Sequence, residues 1–491
     1  MDYISTRGEY GSLSSQAILQ GIAKDGGLYV PASFPILSKN ELESLIPLEY
    51  YERSAYIIGK FLTDYSQKDL ETYTKKAYSR FDGDPAPVLK LDDEIYILEL
   101  FHGPTYAFKD IALTLLPHLL VGARKQLKVK EKTLILVATS GDTGKAALEG
   151  FKDVDGTEIV VIYPADGVSE MQKLQMQTAA GENVHVIGIN GNFDDAQAAV
   201  KRIFGSEEAN ERFASMGYSL SSANSINWGR LVPQIVYYFS AYLDMVGSEE
   251  IKMGDKVNFA VPTGNFGNIL AGYYAKRMGL PVNKLIVASN KNNVLTDFFN
   301  KGEYNANREF YKTMSPSMDI LVSSNLERLL FELYDRDFER IIDLMEKLKY
   351  DKSYLVDVED IEEKLSEFIA YDTNEEDTLE TIKDIELMFG YVMDPHTAVG
   401  ANALYLYLGD SNDKHKSVLV STASPYKFAS DVVYALEGVK VEGFKAVKKL
   451  NDCTALEVPK QIQELKSLEK RHTLVVDNSE IEETIYKLLE K

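Results

Sequence analysis

The stretch Lys256–Gly279, KVNFAVPTGNFGNILAGYYAKRMG, decides how the chain is to be read. It opens with a short apolar run, Val257–Pro262, of the kind a sheet buries on both faces. A glycine-containing turn follows, Thr263–Gly267, and then apolar residues at helical spacing that stop at Gly279. Strand, glycine loop and helix come in that order. The order recurs upstream. TLILVATS (Thr133–Ser140) leads into GDTGKAALEGF, and EIVVIYP (Glu158–Pro164) leads into a helical stretch ending at Gly181. NVHVIGI (Asn183–Ile189) leads into Phe193–Gly205, and KLIVAS and SVLVST are further buried-strand runs. Val/Ile/Leu strands alternating with helices predict an α/β protein with parallel sheet covered on both faces.

At 491 residues the chain exceeds one simple core, so two or three domains are expected. Residues 1–90 alternate short helical stretches with turns, and DGDPAP (Asp82–Pro87) reads as a connector. We divide the chain into an N-terminal domain, 1–90, an α/β catalytic region of two subdomains, 91–436, and a C-terminal tail, 437–491. Within the catalytic region, 325–390 is rich in Glu, Asp, Lys and Leu at helical spacing. It predicts an accessory helical layer without a strand, its charge on a solvated face.

The formal net charge is −22. No basic stripe is present, which argues against nucleic acid and anionic membranes as partners. An anionic substrate would need local Arg, Lys or backbone N–H groups. A single cysteine, Cys453, allows neither an internal disulfide nor a Cys-based zinc site, and no HExxH pattern occurs, so no metal is expected. The first residues lack the charged start and apolar core of a signal peptide, and no uncharged apolar run reaches a bilayer span. A cytoplasmic protein is expected, monomeric or homodimeric.

Two strand-to-helix turns carry glycines suited to anions: ATSGDTGKAAL (Ala138–Leu148) and VPTGNFGNILA (Val261–Ala271). Free N–H groups and the positive end of a helix face such a spot, and glycine removes the Cβ that would keep an anion away. Neither loop is a nucleotide motif. A Walker loop would need Gly at Thr139 and Ser or Thr at Ala146. Gly264–Gly267 gives only half of a dinucleotide fingerprint, and Ala288–Asn290 offers no acidic ribose ligand.

A third feature is Lys109, in ELFHGPTYAFKDIALTLLPHLL (Glu99–Leu120). An ammonium in apolar company at a helix start loses hydration and meets the positive helix end, and both lower its pKa. A neutral amine can form an imine with an aldehyde. Alone, such a lysine would reach for the surface or pair with Asp110. Beside two anion cradles it points to an aldehyde that carries a phosphate, pyridoxal phosphate.

ELFHGPTYAFKD, TSGDTG, SANSINWGR, PTGNFGN and STASPYKF, in this order, resemble threonine synthases, pyridoxal-phosphate enzymes of fold type II. YISTRG and ILQGIAKDGGLYVP at the start are similar too. The resemblance runs from about Tyr3 to about Leu436 and is weakest over 325–388 and the tail. It implies that Lys109 carries the cofactor and shuttles protons. Gly264, Asn265, Phe266, Gly267 and Asn268 would hold the cofactor phosphate, and Thr422 would meet its ring nitrogen. Ser140, Gly141, Asp142, Thr143 and Gly144 would receive the substrate α-carboxylate. Asp142 stands where many fold-type-II relatives have Asn, and an ionised Asp there would repel that carboxylate.

The substrate implied is O-phosphohomoserine, whose phosphate needs a second cationic site. Arg230 is the first candidate, with Asn224, Ser225 and Asn227 from the same turn, and Lys427 and Arg7 are further candidates. The implied reaction eliminates phosphate and adds water at Cβ to give threonine. Alternatives are another fold-type-II lyase, such as a serine/threonine dehydratase, or a catalytically inactive relative.

Overall fold

A computed structural model describes residues 1–139, 141–166, 168, 170–356 and 358–490. The chain begins with a small antiparallel sheet of β1 (Tyr3–Ser5), β2 (Gly8–Ser12) and β3 (Tyr29–Pro31), with β1 in the middle. Helices Lys39–Leu45, Tyr50–Phe61 and Gln67–Tyr78 follow. Ser38 caps the first of them and Glu41 reaches back to the Ser38 N–H, a reciprocal capping box. β4 (Val88–Lys90) and β5 (Ile95–Glu99) then enter a large sheet, antiparallel to each other.

The next strands build a second sheet: β6 (Lys132–Ala138), β7 (Thr157–Pro164), β8 (Val184–Ile189) and β9 (Tyr218–Ser221). The chain returns to the large sheet with β10 (Val257–Pro262) and β11 (Val282–Ser289). A two-stranded ribbon joins β12 (Glu303–Asn305) to β13 (Ser353–Leu355), and β14 (Phe368–Asp372) and β15 (Ser417–Ser421) complete the large sheet. β16 (Val475–Val476) closes the second.

The large sheet has the order β14-β11-β10-β15-β5-β4 and is parallel except for β4. The second has the order β16-β8-β7-β6-β9 and is parallel throughout. Every residue of β5, β7, β10 and β15 is buried, as two-sided helix cover requires. Helix Trp228–Gly247 is apolar on nearly all sides and almost wholly buried. Trp228 packs edge-on to Tyr3 and Phe61, and the buried Arg53 donates to Asp244 at 2.6 Å and to Ser240 at 2.8 Å. The N-terminal segment is thereby fastened to the helix that carries Arg230.

Two expectations change. The stretch 325–390 is mostly helical, but it also holds β13 and β14. β14 pairs in parallel with β11 from Leu285↔Phe368 to Ser289↔Asp372. Five residues between charged helices give little periodicity, and the neighbouring strand supplies the register. The helix expected from about Phe108 is two helices, Lys109–Leu113 and Leu116–Leu127. The tail is folded as well: helix Ile481–Leu489 buries Ile481, Ile485 and Tyr486 against the second sheet's apolar cluster.

Candidate active site

β6, β10 and β15 run parallel to their neighbours and β5 runs parallel to β15; Lys109, the two glycine loops and Thr422 follow the carboxyl ends of these strands, where open α/β sheets bind ligands. The segment after β5 is sewn to the exit of β15. Leu100 N donates to Ser421 O at 3.0 Å, Phe108 N to Thr422 O at 2.8 Å, and Ser424 N to Tyr106 O at 3.0 Å. These bonds place Lys109 beside Thr422, which is itself buried. Tyr106 lies in the left-handed region at φ 58°, a strained position three residues before Lys109.

Asp110 braces this segment. Its carboxylate accepts from Thr105 N and Thr105 Oγ1, both at 2.7 Å. A Cβ on Gly103 would lie 2.5 Å from the Asp110 Cβ, so the glycine of HGPT is required for the approach. Burial pushes the Asp110 carboxyl up to about 6, against the Thr105 hydrogen bonds and Lys427.

Lys109 is half-buried among packed protein atoms. Its Nζ donates to Ser317 Oγ at 3.2 Å and sits 4.9 Å from the Phe108 ring centre. Its pKa falls to about 8. Burial is the largest cause, Asp142 opposes it, and Lys427 and Arg230 add to it. The helix dipole invoked from sequence is not the source, because a five-residue helix carries little of one.

The two glycine loops differ. After β10, Phe266 takes φ 63° and helix Gly267–Arg277 starts with no side-chain cap. Phe266 is buried against Phe299, ring centres 5.8 Å apart. Asn325 donates to Asn265 O, through N at 3.2 Å and Nδ2 at 3.0 Å, and Ser323 Oγ to Gly264 O at 2.7 Å. The loop carbonyls are thus turned onto protein partners. Asn268 Oδ1 accepts from Tyr237 at 2.5 Å and from Tyr238 at 2.8 Å. Its Nδ2 is buried and has no partner among the described residues. An uncapped helix start with an unpartnered buried amide fits a phosphate group.

After β6 the N–H groups are partly taken. Thr139 Oγ1 accepts from Gly141 N and Gly144 N, each at 3.1 Å. A Cβ on Gly144 would meet Thr139 Cγ2 at 2.2 Å, so that glycine serves packing. Helix Asp142–Phe151 begins here without a side-chain cap. Asp142 Oδ1 accepts from Lys427 Nζ at 2.9 Å, and both side chains are nearly buried. Lys427 also donates to Thr105 O at 2.8 Å. Burial alone would raise the Asp142 pKa, but Lys427 and then Lys109 hold it at about 2. The repulsion anticipated at Asp142 is therefore cancelled by a lysine 285 positions along the chain. Ser140 lies outside the described residues.

Arg230 is only 4 % exposed, and no carboxylate pairs with it among the described residues. One terminal nitrogen donates to Ala223 O at 2.8 Å, and Nε has no partner among the described residues. Burial lowers its pKa to about 10. A buried guanidinium without a counter-charge is costly until an anion arrives. Asn224 is exposed and accepts from Ser225 Oγ at 3.2 Å.

Two of the sequence candidates are committed elsewhere. Asn227 caps its helix through Gly229 N at 2.8 Å and donates to Ile18 O and Ser222 O, both at 3.0 Å. Arg7 makes a two-pronged pair with Glu327, at 2.9 and 2.7 Å. Lys145, in the same helix as Asp142, pairs with Glu149 at 2.7 Å, and both side chains are largely buried.

Sequence reasoning missed Ser317, His396 and Asp394. Ser317 lies in a short turn of no distinctive composition. Asp394, Pro395 and His396 read as a helix start, with Asp as cap and Pro first, and nothing in that signal marks the His.

The sheets, the lysine and the phosphate-fitting loop together define a pyridoxal-phosphate-dependent enzyme of fold type II. The family model described as "Pyridoxal-phosphate dependent enzyme" matches residues 84–423. "Threonine synthase N terminus" matches 2–78 and "Threonine synthase, C-terminal" matches 397–485, which takes in most of the tail. Threonine synthase of Pseudomonas aeruginosa is 40 % identical over 440 residues, 88 % of this chain and 90 % of that protein. Human threonine synthase-like 1 is also 40 % identical, over 437 residues, 86 % of this chain and 58 % of that protein. The solved structure of pyridoxal-phosphate-bound threonine synthase from Brucella melitensis superposes with a TM-score of 0.90 at 36 % identity, covering 100 % of both chains. The chain belongs to the threonine synthase family, and its cofactor is pyridoxal phosphate. Among the described residues no helix is long and apolar enough to cross a membrane.

Proposed function

We propose that the protein converts O-phosphohomoserine to threonine, eliminating the γ-phosphate and adding water at Cβ. The observation that carries this reading is Arg230, buried, without a counter-charge among the described residues and close enough to Lys109 to lower its pKa. A lyase acting on serine or threonine has no second phosphate to bind and no use for such a group.

Bound pyridoxal phosphate supplies a sink for negative charge developing at the substrate α-carbon. The chain's own residues do the rest. Gly264, Asn265, Phe266, Gly267 and Asn268 hold the cofactor phosphate, with Asn268 Nδ2 as the free side-chain donor. Thr422 meets the ring nitrogen. A hydroxyl there can leave that nitrogen unprotonated, a milder sink suited to elimination. The Gly141–Gly144 turn takes the substrate α-carboxylate, with Asp142 neutralised by Lys427. Arg230, with Asn224 and Ser225 from the same turn, takes the substrate phosphate. Lys109, its pKa depressed toward neutrality, removes and returns protons. Arg7 and Asn227 are left out because their donors are already used. The residues given roles here all fall within 91–436, with 1–90 and 437–491 packed on that region. We read the protein as a cytoplasmic monomer or homodimer acting on a small molecule.

The experiment is a steady-state assay that follows both phosphate and threonine, with O-phosphohomoserine, serine and threonine as substrates. Threonine formed in step with phosphate supports the reading. Turnover of serine or threonine alone sinks it, as does phosphate release without threonine. Arg230→Met is expected to raise KM for O-phosphohomoserine about a hundredfold, the cost of one lost charged hydrogen-bonding partner. The visible absorbance of the bound cofactor should be unchanged.

A further inference from the structure

The group that touches the Lys109 amine comes from a distant part of the chain. Ser317 Oγ accepts from Lys109 Nζ at 3.2 Å, and Ser317 belongs to the three-residue turn Pro316–Met318. Side chains from two directions hold this turn in place. On one side Asp319 gathers Asn290 Nδ2 at 2.8 Å, Asn292 Nδ2 at 3.0 Å, Thr313 Oγ1 at 2.7 Å and Thr313 N at 2.9 Å. On the other, Ser317 N donates to His396 Nε2 at 3.1 Å. That bond makes Nε2 an acceptor, so the ring proton sits on Nδ1 and is donated to Asp394 Oδ1 at 2.7 Å. His396 is 2 % exposed and its ring meets Phe428 edge-on, centres 4.7 Å apart.

A helix-start histidine with no other task would not need its second nitrogen aimed at a backbone N–H in another segment. The turn also reaches the phosphate loop, because a Cβ on Gly264 would lie 2.8 Å from Ser317 O. The position of Ser317 is thus tied to both halves of the site.

We propose that Ser317 is a further residue of the proton-handling site, in direct contact with the Lys109 amine, and that His396, oriented by Asp394, is the positioning residue that keeps it there. The proposal rests on Lys109 being the reactive amine. Hydrogen bonding to Ser317 favours the charged form of the lysine and offsets part of the lowering by burial. The other groups acting on Lys109 are Asp142, Lys427, Arg230 and Asp110.

The test uses the full chain with cofactor removed and reloadable. Lys109 is trace-labelled with acetic anhydride across pH and read by peptide mass spectrometry. Ser317→Ala should lower the labelling midpoint by about half a pH unit or more, because an acceptor for the ammonium is lost. His396→Ala should lower it equally, and the double variant no further. His396→Gln, whose side-chain oxygen can accept the Ser317 N–H, should restore most of the shift. Hydrogen exchange over 311–319 should rise in His396→Ala and stay unchanged in Ser317→Ala. An unmoved midpoint in Ser317→Ala overturns the proposal, and so do additive effects in the double variant. If His396→Ala does not fold, Ser317→Ala and His396→Gln decide alone. The first must shift the midpoint and the second must leave it near its original value. Should Lys109→Ala keep the visible cofactor absorbance, the reactive-amine reading itself fails, whatever Ser317 does.

Discussion

The loop after β6 and the loop after β10 share one sequence pattern and are used differently. Both follow a buried strand, both contain glycine, and both open a helix with no side-chain cap. In the first, Thr139 takes two N–H groups and Asp142 and Lys427 close a buried ion pair. In the second, the carbonyls are bound from outside by Ser323 and Asn325, and Asn268 Nδ2 has no partner among the described residues. Glycine permits close approach of an anion. Whether donors remain free is set by neighbours from other segments.

The largest effect lies between the loops, at Lys109. Lys109→Ala should abolish the visible cofactor absorbance and reduce threonine formation by about a thousandfold or more, since both attachment and proton transfer are lost. Lys109→Met carries a stability signature as well. The folded-state pKa, about 8, lies below the usual 10.5, so folding disfavours the ammonium. The native chain should therefore gain stability as pH rises from about 8 toward 10.5, where the unfolded state binds more protons. Denaturant unfolding of the cofactor-free protein should show Lys109→Met more stable at neutral pH by about 1 to 3 kcal/mol, with that pH dependence gone.

Next come two substitutions that set one loop against the other. Asn268→Ala should weaken cofactor binding about tenfold or more; the Tyr237 and Tyr238 hydroxyls keep Gln234 Oε1 and Asn268 O as acceptors, so the melting temperature of the cofactor-free protein should change less than the affinity does. Gly144→Ala should do the reverse, destabilising the fold by about 1 to 3 kcal/mol through the clash with Thr139, which scanning calorimetry would detect. Equal effects of both changes on cofactor affinity would erase the distinction.

The smallest effect belongs to Asp142→Asn. It removes the negative charge that raises the Lys109 pKa and leaves Lys427 without a counter-charge. Both changes push Lys109 further down. The acidic limb of the pH–rate profile, where the base becomes protonated, should move to lower pH by about half to one unit. A shift to higher pH would mean that Asp142 does not act on Lys109 through its charge.

Much of this was legible in the chain. Lys109, the glycine loops and Thr422 lie in local patterns whose chemistry can be read in a window of ten residues. The strands β6, β7, β8, β10, β11 and β15 are legible because two-sided burial forces continuous Val/Ile/Leu runs. β14 was not, because five residues with charged flanks take their register from β11. Ser317 and His396 were not, because their meaning lies in two bonds, one joining segments 208 residues apart and the other 79.

What the sequence determined by itself was the class of architecture, a lysine in apolar company at a helix start and two glycine loops between strand and helix. Each follows from short-range rules: strand burial, helix starts and the freedom of glycine. Only the tertiary structure decided how charge is distributed among them. It paired Asp142 with Lys427, committed Arg7 to Glu327, left Arg230 with no carboxylate partner among the described residues and set Ser317 against Lys109. The physical reason is that a charge is defined by the few ångströms around it, and in a doubly wound fold those few ångströms come from strands and loops hundreds of residues apart.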